Sequence, residues 1–178
     1  MATFLDAIRN LQNPYEFLKL ITIGGHKEYH LEGDALKHTE FVWLCAIETW
    51  GEDHFMTEIA LLHDIGKIYS SIENSTNDWS YPDHSTIGSL KGVLSKFIPV
   101  THPLFPVYQW YIGNHIKPLF WQKSGNINYS PKPKGFEDYC TVENLAKLAL
   151  CDIKGSHSKT PQEELQSYLL SIISKGEH

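Results

Sequence analysis

Apolar positions recur at helical spacing almost from end to end, so the chain reads as a succession of amphipathic helices. Phe4, Leu5, Ile8 and Leu11 suit a short opening helix that ends before Pro14. Tyr15, Phe17, Leu18 and Ile21 continue a second piece, which Gly24 and Gly25 stop. Longer helices are predicted at about 34–50, with Gly51 after the last apolar position, and at about 55–69. The turn-forming residues 70–83 predict a surface loop, and Asp83 the N-cap of a helix over about 84–97. Pro103 and Pro118 bound a helix at about 104–116. Residues 118–139 collect prolines, glycines and the aromatics Phe120, Trp121, Tyr129 and Phe136, which reads as a long loop able to serve as a lid. Helices at about 141–153 and 161–174 follow, the last with Thr160 as N-cap, Pro161 at its first position and Glu163 placed for a capping box.

The pattern predicts a single all-α domain, without internal repeats or low-complexity tracts. A chain of 178 residues can bury roughly 70% of its unfolded surface and needs no staples. The excess of 21 Asp+Glu over 15 Lys+Arg, a formal charge of −6, argues against tight wrapping of a long nucleic acid. It leaves room for small phosphorylated substrates and for RNA ends. No apolar run suits a membrane span. Cys45, Cys140 and Cys151 are odd in number and without C-x-x-C spacing, and no signal segment precedes them, so a reducing, cytoplasmic setting is expected. Nothing in the sequence sets the oligomeric state.

The strongest chemical feature is His63-Asp64-Ile65-Gly66-Lys67, directly after the apolar run Ile59-Ala60-Leu61-Leu62. A carboxylate at the end of a core helix needs a neutralising partner, and a metal ion supplies one. Other ionisable residues extend apolar stripes in the same way. His38 shares a face with Phe41, Val42 and Cys45; His115 with Tyr108, Tyr111 and Ile112; Asp152 with Leu145, Leu148 and Ala149. His84 begins a stripe through Ile87, Gly88 and Lys91, where Gly88 would leave space for a bulky group. One such histidine is an ordinary core residue, but several helices each turning a His or Asp inward converge on a metal site.

The order His38, His63-Asp64, His84, His115, Asp152 resembles the HD superfamily of metal-dependent phosphohydrolases in its fuller, dinuclear form. The segment Tyr29-His30-Leu31-Glu32-Gly33-Asp34-Ala35-Leu36-Lys37-His38-Thr39 is similar to the one that opens the HD domain of some bacterial tRNA nucleotidyltransferases. No strand-rich segment with a Gly-Ser turn and paired Asp residues stands before it in this sequence, so the hydrolase domain alone is expected. His84 and His115 together also make the chain resemble dinuclear diadenosine-tetraphosphate hydrolases. The resemblance implies an HD-type domain with a helical extension over about 1–28, a metal-binding core over about 30–156 and a C-terminal helix. It implies two divalent ions, with His38, His63, Asp64 and Asp152 on one and Asp64 bridging to a second held by His84 and His115. Imidazole and carboxylate without thiolate suit Fe or Mn foremost, and also Co, Ni or Zn.

The activity so implied is hydrolysis of a phosphomonoester or phosphodiester of a small nucleotide-like substrate through a metal-bridged hydroxide. Two ions about 3.5–4 Å apart would orient phosphate oxygens and stabilise an in-line displacement. Asp64 is the expected catalytic carboxylate, and Lys67 the cation facing the phosphoryl group. His30, Lys91, Lys117 and Lys154 are candidates for substrate contact. Trp79 and Trp121, near His84 and His115 in the sequence, could stack on a base or anchor loops, whereas Trp43 and Trp50 suit core packing. His54, His102, His157 and His178 have no apolar stripe behind them and read as surface. The same ligand order also occurs in dinuclear iron oxygenases of the myo-inositol and phosphonate-cleaving type, which is the alternative class; the segment over residues 29–39 favours the hydrolase.

Overall fold

The computed structural model describes residues 3–25, 31–76, 78–158 and 162–176. It is all-α, with one small hairpin. Helix α1 (Phe4–Arg9) begins at Thr3, whose hydroxyl accepts the Asp6 N–H while the Asp6 carboxylate accepts the Thr3 N–H in return. Helix α2 (Pro14–Phe17) runs into a 3₁₀ turn over Leu18–Thr22. Asp34 then caps α3 (Ala35–Trp50) by accepting the Lys37 N–H at 2.8 Å. Helix α4 (Phe55–Leu62) is capped by His54, whose Nδ1 accepts the Met56 N–H. Its last four residues, Ile59 to Leu62, are all buried, so the C-terminal turn of this helix is enclosed by the core on every side, while Glu58 in its first turn is exposed.

The helix expected over 55–69 is divided. Successive tight turns over residues 63–66 separate α4 from α5 (Lys67–Ser70). The loop expected at 70–83 contains the antiparallel hairpin β1 (Ile72–Glu73) and β2 (Trp79–Ser80), with Ile72 opposite Ser80. The helix expected over 84–97 is also broken. Helix α6 (His84–Ser89) stops at Leu90, where ψ of 135° is extended, and α7 (Lys91–Leu94) starts in a new direction. Asp83 sits in the left-handed region and makes no capping hydrogen bond, so it does not act as the expected N-cap.

Helix α8 (Phe105–Asn114) is followed by α9 (Pro118–Ser124), so the first third of the presumed lid loop is helical. The rest is tied down. Trp110 and Trp121 donate their indole N–H groups to the carbonyls of Ser130 and Asn128, and the buried Asn114 accepts the Ser130 N–H at 2.7 Å. Helix α10 (Val142–Gly155) and helix α11 (Glu163–Gly176) follow; Thr160 and Pro161, the expected cap of the last helix, lie outside the described residues. Helix α10 packs on α3 and α11, α3 on α4, and α6 on α8. Among the described residues no helix is long and apolar enough to cross a membrane.

One crossing depends on glycine. A Cβ on Gly66 would lie 1.8 Å from the carbonyl oxygen of His84 and 2.7 Å from the Gly88 nitrogen. The space beside Gly88 is therefore filled by the backbone of Gly66, not by a bulky group. This close approach brings the start of α6, and His84 with it, against the turn that carries Asp64.

Candidate metal centre

Each of the six residues sits at or near a helix end. His38 lies in the first turn of α3, Asp152 in the last turn of α10, and His84 opens α6; His63 and His115 are the C-caps of α4 and α8, with Asp64 following His63. Helix C-termini leave carbonyls without intrahelical partners, and a histidine there can donate to one of them. His63 Nδ1 lies 2.7 Å from the Ala60 carbonyl oxygen and His115 Nδ1 2.7 Å from that of Ile112. His84 Nδ1 lies 2.9 Å from the Tyr81 carbonyl oxygen. A carbonyl only accepts, so Nδ1 of these rings carries a proton and Nε2 is the nitrogen left to offer a lone pair to a cation. His38 Nδ1 faces the carboxylate of Glu32 instead, at 3.0 Å.

The four Nε2 atoms converge around Asp64. Its Oδ2 is 3.3 Å from His63 Nε2 and 3.6 Å from His38 Nε2, and its Oδ1 is 3.3 Å from His84 Nε2 and 3.7 Å from His115 Nε2. Asp152 Oδ1 approaches His38 Nε2 at 3.0 Å, and His84 and His115 Nε2 are 3.3 Å apart. The structure thus brings together all six residues expected from the sequence. Two trios are close enough to hold a cation, His38 with His63 and Asp152, and His63 with Asp64 and His115. His84 lies between Asp64 and His115 and would complete the second.

Electrostatics agree with this arrangement. Burial opposes ionisation of Asp64, yet Lys67 and His63 hold its carboxyl well below the usual range. Burial also opposes ionisation of Asp152, and His38 outweighs it, so that carboxyl too is lowered. Desolvation pushes His84 down to about 4, leaving a neutral ring. Desolvation lowers His38 as well, but Asp152 and Glu32 together raise it to about 9, so a cation entering there would displace a proton.

The fit to a metal rests on an observation beyond composition. His63 Nε2 is buried with no hydrogen-bond partner, although its Nδ1 is engaged with Ala60. Leaving such an acceptor unpaired costs roughly 1–3 kcal/mol. A cation coordinated by that lone pair removes the penalty, and the donor set of imidazole nitrogen and carboxylate oxygen suits a divalent transition metal.

The centre forms the floor of a cleft of about 620 Å³. Asp64, Lys67, His84, His115 and Asp152 reach into it, and Ile116, Leu119, Phe120, Ile153 and Leu165 line its walls. Lys67 Nζ lies 2.6 Å from Asp64 Oδ2 and 4.4 Å from the centroid of the Tyr81 ring, in a side chain that is 3% exposed. The lysine is therefore packed against the centre, not solvated at a helix end.

The remaining candidates are placed elsewhere. Lys91 is exposed on α7, because the break at Leu90 takes it off the face of His84. Lys117 follows His115 by two residues and donates to Ser130 Oγ at 3.1 Å, and Lys154, two residues after Asp152, is exposed. Residues two apart on a helix do not share a face. None of the three lines the cleft, and His30 lies outside the described residues. Trp121 is fully buried and Trp79 packs against Gly24, so both anchor chain segments. Lys123, Gln122, Ser156, Ser158 and Gln162 line the cleft without having been singled out in the sequence. The first two belong to α9, which reads as loop; had its helical phase been recognised, Leu119, Phe120 and Lys123 would have shared a face.

Comparison with protein-family models, with curated proteins and with solved structures finds no match.

Proposed function

We propose that the chain is a metal-dependent phosphohydrolase of the HD type, acting on a phosphomonoester or phosphodiester of a small nucleotide-like substrate. The observation that carries this reading is the convergence of four imidazole Nε2 atoms and two carboxylates on the floor of a cleft, beside a buried lysine. The residue order along the chain, similar to that of HD phosphohydrolases, supports it.

His38, His63 and Asp152 would hold one ion, and His84 and His115 a second, with Asp64 between them. When bound, two such ions supply Lewis acidity toward phosphate oxygens and acidify a water. The chain's own groups do the remainder. Lys67, fixed by Asp64 and Tyr81, places its ammonium where charge develops on the phosphoryl oxygens. The apolar walls exclude water from one side of the substrate, and the cleft volume suits a small molecule, not a long polymer. Fe or Mn is the proposed metal.

Hydrolysis needs no redox change, so redox-inert loading should suffice. Protein reconstituted with Mn²⁺ and assayed on nucleoside monophosphates and 2′,3′-cyclic nucleotides is expected to release phosphate, or open the cyclic ester, at equal rates in air and under argon. Absence of any phosphoesterase activity, with oxygen uptake on a polyol or phosphonate by the iron form, would replace this reading with an oxygenase.

A further inference from the structure

The imidazoles of the centre are held in two different ways. His63, His84 and His115 use Nδ1 against neutral carbonyls, whereas His38 faces the carboxylate of Glu32. Glu32 has a side chain with 0% exposure, a costly place for an anion unless both oxygens are engaged. Oε1 lies 3.0 Å from His38 Nδ1, and Oε2 accepts the N–H of His157 at 2.9 Å, from 125 residues further along the chain. The two segments are joined again by the Leu31 N–H, donated to the His157 carbonyl at 3.1 Å. The His157 ring also stands edge-on to Phe41 of α3, 5.3 Å between centroids. Ser156 and Ser158, on either side of His157, line the cleft. One buried carboxylate thus connects an imidazole of the centre to the rim above it.

We infer that Glu32 is a positioning residue with two tasks: its charge strengthens His38 as a ligand through Nε2, and its second oxygen makes the order of the rim at residues 156–158 depend on occupancy of the centre. The inference rests on the metal-centre reading above. A carboxylate accepting the Nδ1 proton makes the opposite nitrogen a better donor than a carbonyl does, and outer partners of this type are worth roughly 10–100-fold in metal affinity. An ion at Nε2 would take the place of the proton shared with Asp152 and tie the ring to His63 and Asp152 as well, so that the imidazole, and with it the carboxylate that holds the His157 N–H, is restrained in one orientation.

The test combines calorimetric titration of Mn²⁺ with amide hydrogen exchange at residues 155–158. Glu32→Gln keeps the shape and one acceptor oxygen but removes the charge. Its Mn²⁺ affinity is expected to fall roughly 10–100-fold, while the melting temperature of the metal-free protein stays within roughly 8 °C of wild type. In the wild-type chain, saturating Mn²⁺ is expected to slow exchange at residues 155–158, a readout that needs no variant and stands even where Glu32→Gln loses its fold. Wild-type Mn²⁺ affinity in Glu32→Gln, or rim exchange in the wild type that ignores saturating Mn²⁺, overturns the inference while leaving the metal centre in place. A wild-type chain that binds no Mn²⁺ overturns the metal reading and this inference with it.

Discussion

Replacing Asp64 with alanine is expected to empty the centre of metal and reduce phosphoester hydrolysis to background. Among the described residues Asp64 is the one whose oxygens lie within 3.7 Å of all four histidine Nε2 atoms, so its loss removes the carboxylate that faces every imidazole of the centre. The substitution also strands Lys67, which is 3% exposed and paired with Asp64 at 2.6 Å. Removing one partner of a buried ion pair costs about 3–5 kcal/mol, equivalent to a fall of roughly 6–20 °C in the melting temperature of the metal-free protein. Metal analysis after gel filtration and a thermal melt in chelator check both halves. Full metal content in the variant would show that Asp64 is not shared between the ions.

Gly66→Ala is expected to destabilise the chain strongly, because a methyl group there meets backbone atoms at van der Waals overlap. The new Cβ would sit 1.8 Å from the His84 carbonyl oxygen and 2.7 Å from the Gly88 nitrogen, and both are backbone atoms that cannot turn aside. The start of α6 must move outward by more than an ångström, carrying His84 away from Asp64. Overpacking typically costs about 1–3 kcal/mol and more where backbone must shift, so a loss of roughly 3 kcal/mol or above is expected in urea unfolding. Metal affinity should fall as well, since His84 moves with the helix. Gly92→Ala provides the contrast: it adds a methyl where nothing lies within 4 Å, inside α7, and should be neutral or stabilising by up to about 1 kcal/mol. Equal stability of the two variants would mean that the α5–α6 crossing is not tight.

The gathering of His38, His63, Asp64, His84, His115 and Asp152 is legible in the sequence because each lies on, or at the end of, an apolar stripe whose period is fixed by helix geometry. His38 with Val42 and Cys45, or Asp152 with Leu148 and Ala149, shows an ionisable side chain continuing the buried face. The lining of the cleft is not legible, for a physical reason that differs from residue to residue. Lys91 depended on an unbroken helix after His84, and nothing in the sequence announces the extended ψ at Leu90. Lys117 and Lys154 lie two residues after His115 and Asp152, a spacing that turns a side chain away from its neighbour's face, and neither lines the cleft. The aromatic run after Pro118 suggested a loop, yet Trp121 is buried in α9 and only then do the loop anchors follow. Glu32 could not be assigned a task from its neighbours at all, because the N–H that shares its carboxylate comes from His157. Helix periods report which face is buried; they do not report which distant segment supplies the partner.

His38, His63, Asp64, His84, His115 and Asp152 are proposed to enclose two metal ions. Anomalous diffraction at the manganese edge from crystals of the Mn²⁺-loaded protein tests it most directly. Two anomalous peaks are expected inside the ring of these six side chains, one bordered by His38, His63 and Asp152 and the other by His84 and His115, with Asp64 between them. A single peak there, or manganese bound only at the surface, would rule out a two-ion centre at these residues.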